Sequence, residues 1–161
     1  MNAARLSAVL LGGAIAGLLD ITFAISFAAY NGATPVRLLQ TVASGLLGTA
    51  AFTGGVPTAA LGLALHFAMS ILWAGVFFVL ARNIPALTLR PVLSGILFGV
   101  FVFVSMRFVV LPLSAFPYPV RFKPLATTLD LLSHMLLFGV PIALGVRKAM
   151  SNSQPASRRA G

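Results

Sequence analysis

Residues 57–81 read PTAALGLALHFAMSILWAGVFFVLA, and this stretch decides the fold class. It holds no Asp, Glu, Lys or Arg. Wound as a helix it reaches about 38 Å, enough to cross the roughly 30 Å hydrocarbon layer of a bilayer. Pro57 suits a first helical turn, and Arg82-Asn83-Ile84-Pro85 ends the run. A surface helix of a soluble protein would show a polar face, and this one does not.

The same reading extends in both directions. An apolar run covers 6–30, and others cover 91–113 and 125–146. The first starts behind Arg5 as a signal peptide would, but it is too long and carries no small-residue cleavage pattern after a short core. It is expected to stay as an uncleaved first span. Composition agrees: 59% of residues are hydrophobic and 8% are charged, against about 25% charged in soluble domains. The expected fold is therefore all-α, an integral-membrane four-helix bundle forming one domain over 1–148, with a flexible basic cytoplasmic tail at 149–161.

Residues 36–52 are different. Leu38, Leu39, Val42 and Leu46 recur at helical spacing, while Arg37, Gln40, Thr41 and Ser44 lie elsewhere. The segment is short for a span and polar for one, so an interfacial or re-entrant helix is expected. Asn31-Gly32-Ala33-Thr34-Pro35 before it reads as a turn.

The net charge of +9 does not point to nucleic acid, because no basic stripe with interleaved aromatics occurs. The cations sit between the spans. With the N-terminus inside, Arg5, Arg82, Arg90, Arg147, Lys148, Arg158 and Arg159 fall on the inner side. Arg37, Arg121 and Lys123 fall on the outer side. The excess predicts that both termini are cytoplasmic. Cysteine is missing from the sequence, which removes disulfides, thiolate metal sites and thiol nucleophiles.

The chain has two acidic residues, Asp20 and Asp130, and two histidines, His66 and His134. All four fall inside expected spans, together with Arg107. Such groups are expensive in the bilayer interior and mark functional sites by default. Helical rise puts Asp20 roughly 15 Å, His66 and His134 roughly 14 Å, Arg107 about 10 Å and Asp130 about 8 Å below the outer surface. The five form one expected polar cluster drawn from four helices. Asp20 and His66 are expected to pair across spans one and two, and Asp130 and His134 within one helix. Arg107 projects about 100° from the Gly95/Gly99 stripe, facing either the cluster or the headgroups. Pro141 deprives the Leu137 carbonyl of its helical donor.

Gly13/Gly17 and Gly95/Gly99 make two Gly-x-x-x-Gly pairs for close helix packing. They allow a homodimer or a membrane-protein partner besides the lipid bilayer itself. Two Asp and two His have no diagnostic metal spacing, so no metal is assigned. A haem between the histidines lacks an attachment motif, and no cofactor is expected. No nucleophile–base pattern occurs, so no catalytic residue and no enzyme is expected.

Ala64-Leu65-His66-Phe67-Ala68-Met69-Ser70-Ile71-Leu72-Trp73, the Pro112-Leu113-Ser114 exit, the Pro-rich loop, and Leu132-Ser133-His134-Met135 before Arg147-Lys148 resemble the YagU-like group of small bacterial inner-membrane proteins. The resemblance covers 64–148. It implies inner-membrane residence and a link to acid tolerance, and it implies no site residues. The chain departs from that group in its first loop. The leading expectation is a protonatable intramembrane site for proton-linked transport or pH response. The alternative is a structural or partner-binding protein, which predicts a dry, fully paired cluster.

Overall fold

A computed structural model describes residues 3–151 of the protein. Five helices carry the architecture: α1 (Ala3–Tyr30), α2 (Pro35–Leu47), α3 (Gly55–Asn83), α4 (Pro91–Leu113) and α5 (Pro124–Ser151). Among the described residues no strand occurs, and α1, α3, α4 and α5 are the helices long and apolar enough to cross a membrane. They run up and down, so the α1–α2, α2–α3 and α4–α5 connections share one end, called here the loop end.

The turn after α1 is a Schellman cap. Gly32 adopts φ +82°, its N–H reaches the Ala29 carbonyl, and the Ala33 N–H reaches the Ala28 carbonyl. Thr34 then caps α2, its Oγ1 accepting from the Arg37 N–H at 3.2 Å ahead of Pro35. A 3-10 turn, Gly48–Phe52, closes the segment. Too short to span, α2 instead packs on the first turns of α3. Gln40 Nε2 donates to the Gly55 carbonyl at 3.1 Å, and Gly62 offers no side chain where the Leu39 carbonyl passes. The Ala115 N–H donates to the Gly45 carbonyl at 2.9 Å, which ties the α4–α5 loop to α2.

Glycine fixes where the spans cross. A Cβ at Gly13 would meet the Ile71 Cα at 3.1 Å, and one at Gly17 would meet the Ser70 Oγ at 3.0 Å, so this pair seats α1 on α3. Gly95 and Gly99 seat α4 on α5, where a Cβ would meet Val140 and Met135 Cα atoms at 2.6 Å. Gly12 and Gly145 make a third crossing, between α1 and α5, which the spacing did not single out. The glycine faces that the sequence offered to a dimer are thus covered by the chain's own helices.

Packing divides the bundle. Val9, Phe77, Val102, Ile142 and Val146 form a buried core toward the termini end, with Phe77 and Phe98 edge-to-face at 4.8 Å. The ionisable groups lie in the other half, toward the loops. The fourth span also runs further than expected. Arg147 and Lys148, beyond the expected end of the span at 146, belong to the last turns of α5, where cations complement the helix dipole, and residues 149–151 of the expected flexible tail are helical as well. The remainder of the expected tail, from Asn152, lies outside the described residues.

Candidate functional site

Two helices widen where the polar residues sit. In α4 the segment Met106–Val110 is π-helical, and in α5 the segment His134–Gly139 is. In each, the residue before a proline reaches back five residues: the Leu111 N–H to the Met106 carbonyl, and the Val140 N–H to the Met135 carbonyl. Pro112 and Pro141 supply the cause. A proline ring collides with the carbonyl four residues earlier, and one extra residue in the turn relieves it. Arg107 and His134 both sit inside these wide turns.

The arginine faces the cluster. Arg107 Nη2 donates to Asp130 Oδ2 at 2.7 Å, and Nη1 donates to the Arg121 carbonyl at 3.2 Å. Its guanidinium also lies 5.0 Å from the Phe103 ring centre and 5.3 Å from that of Phe122. His134 Nδ1 stands 2.9 Å from the Asp130 carbonyl and 3.3 Å from Asp130 Oδ1. Both are acceptors, so Nδ1 carries the proton. Nε2 then faces away from Asp130, and it has no hydrogen-bond partner among the described residues. The expected Asp130–His134 pair forms, with Arg107 added to it.

The expected Asp20–His66 pair does not form. Ser133 Oγ donates to Asp20 Oδ1 at 2.5 Å across α5 and α1. His66 Nε2 donates to the Gly17 carbonyl at 2.9 Å. One turn on, Ser70 Oγ donates to the Gly13 carbonyl at 2.5 Å. The close glycine contact exposes backbone carbonyls on α1, and polar side chains of α3 take them. Ser133 was invisible as a partner because the helical wheel grouped Asp130 with His134 and left the intervening residue off that face.

The cluster is paired, and cavities adjoin it. A cavity of about 340 Å³ lies between Arg107, Asp130 and His134 and the loop residues Phe116, Pro119 and Arg121. One of about 460 Å³ lies under α2 and reaches Asp20, His66 and His134. A third, about 220 Å³, has Asp20, Arg107, Asp130 and Ser133 in its walls. The smallest, about 60 Å³, adds Trp73 and Ser70 to Asp20 and both histidines. Asp20 borders three of the four. The side chain of Asp130 is 39% exposed, that of His134 16%. All five expected residues therefore border one system of adjoining spaces at the loop end, although His66 joins it through cavity walls rather than by direct contact. Among the described residues no three Asp, Glu, His or Cys side chains gather as metal ligands.

Fold and site together define a multi-pass membrane protein with ionisable groups concentrated in one half of its bundle. Comparison with models of protein families, with curated proteins and with solved structures gives no match. The resemblance carried by residues 64–148 rests on the sequence alone.

Proposed function

We propose that this is a proton-handling protein of the bacterial cytoplasmic membrane, acting in proton-linked transport or pH response, with both termini in the cytoplasm and no enzymatic reaction of its own. The observation that carries the reading is the Arg107–Asp130–His134 triad at the wall of a cavity lined by the loop end. Asp130 holds His134 by Nδ1 and leaves Nε2 without a partner among the described residues, an arrangement suited to a histidine that takes up and gives back a proton. Asp20 and His66 border the next space inward. The tightly packed core toward the termini supports a state closed on that side and accessible from the loops. The excess of basic residues at the termini side supports the orientation.

Proton flux into liposomes containing the purified protein tests this. Wild type is expected to conduct above empty liposomes, and Asp130→Asn to lose most of that flux. Flux equal to that of empty liposomes would sink the reading. A packing role alone is the second reading, favoured by the fact that both carboxylates have partners.

A further inference from the structure

We propose that the cavity of about 460 Å³ beside Asp20 binds a lipophilic ammonium ion, with the ammonium on Asp20 and the apolar body against Leu65, Met69 and Met106. This deepens the proton-handling reading by naming a substrate class for the same cluster, and it rests on that reading.

Charge is the first argument. Of the two carboxylates, Asp130 has Arg107 as its cation. Asp20 is 9% exposed, and its only hydrogen bond among the described residues comes from the uncharged Ser133. That bond goes to Oδ1. Around Asp20 stand His66 from α3, Asp130 and His134 from α5, and Arg107 from α4, whose guanidinium is engaged by Asp130 and the Arg121 carbonyl. From α2 come Leu38, Thr41 and Val42, which do not titrate. No Lys or Arg lines the larger cavity. A buried carboxylate with no Lys or Arg paired to it offers a site to a cationic ligand.

The cavity selects the kind of cation. Its volume falls within the roughly 300–1,000 Å³ of small-molecule sites. Leu38, Val42, Leu65, Met69, Met106 and Phe116 make most of its wall apolar. An inorganic cation needs a shell of about six or more oxygen ligands, and the side chains of these walls supply one carboxylate and the Thr41 and Ser114 hydroxyls. An ammonium ion with an apolar body satisfies both features. It donates to Asp20, and the two flanking imidazoles offer further acceptors. Methionine walls adapt to bodies of differing outline.

Isothermal titration of the purified full chain in detergent micelles tests this, with 1-naphthylmethylammonium as probe and 1-naphthalenemethanol as its uncharged counterpart. The ammonium ion is expected to bind saturably above the micelle baseline, and the alcohol not to. Asp20→Asn is expected to weaken binding by roughly tenfold to a hundredfold, as loss of a charged hydrogen bond implies. Val42→Phe narrows the cavity from α2 and is expected to abolish binding while proton flux persists; it decides the matter if Asp20→Asn fails to fold. Equal binding of the alcohol, or unchanged affinity in both variants, overturns the proposal. Asp130-dependent proton flux without ammonium binding overturns this proposal and leaves the proton reading standing. Asp20-dependent binding without flux overturns the proton reading instead.

Discussion

Arg107 and Asp130 are joined at 2.7 Å across α4 and α5, one residue inside a π-helical turn and the other one helical turn before the next. The pair neutralises two charges that the bilayer would otherwise reject. Removing one partner strands the other, whereas removing both leaves two neutral amides. Arg107→Gln is therefore expected to lower stability by about 2 kcal/mol, less than a fully buried pair would lose because the Asp130 side chain is 39% exposed. Arg107→Gln/Asp130→Asn should recover part of that loss. Thermal unfolding in detergent measures both, and a double variant no more stable than the single one refutes the argument.

Ser133 is the sole hydrogen-bond donor to Asp20 among the described residues. Ser133→Ala removes it and leaves a buried carboxylate with none. The expected loss is about 1–3 kcal/mol. Ser7 is exposed on α1, and Ser7→Ala should leave the melting temperature nearly unchanged. Equal melting temperatures for the two variants would show that the Asp20–Ser133 bond adds nothing to the fold.

The spans were legible because apolar length is a local property, and 57–81 and 91–113 lie within or on the observed helices. Depth was legible too, since it needs only helical rise, and Asp20, His66, Arg107, Asp130 and His134 do share one half of the bundle. Direction was not. It depends on crossing points and on helix irregularity, and both belong to the tertiary structure. Shared depth paired Asp20 with His66, but the Gly13/Gly17 crossing puts the Gly17 carbonyl in reach of His66. Pro141 read as the loss of one helical donor and Pro112 as part of the exit of the third span, and nothing local distinguishes a kink from a π turn. Gly12, Gly139 and Gly145 escaped notice because none has a second glycine four residues away to mark a stripe.

Gly99 and Gly75 make a paired test of the crossing geometry. A Cβ on Gly99 would overlap the His134 carbonyl and meet the Met135 Cα at 2.6 Å, both backbone. A Cβ on Gly75 would meet nothing within 4 Å. Gly99→Ala should push α4 off α5 and destabilise by about 2 kcal/mol or more, in the range of overpacked cores. Gly75→Ala should gain about 0.5–1 kcal/mol from helix propensity alone. The opposite signs are the prediction, read from two melting curves.

The π turn in α5 sets which way His134 faces. Pro141→Ala restores an N–H at position 141 and removes the ring that forbids an ordinary turn. If the turn relaxes to α-helix, the residues on its two sides rotate relative to each other by roughly 100°. On the C-terminal side stand Ile142 and Val146, buried to 0% and 1% exposure in the core. On the N-terminal side stand Asp130 and His134, beside cavities. The packed side resists rotation and the cavity side yields. Pro141→Ala should therefore keep or raise the melting temperature while cutting proton flux. Pro124→Ala, at the first turn of α5 where a proline displaces no helical bond, should leave flux unchanged. Wild-type flux in Pro141→Ala, beside lost flux in Asp130→Asn, would mean that the wide turn serves packing and does not aim the histidine.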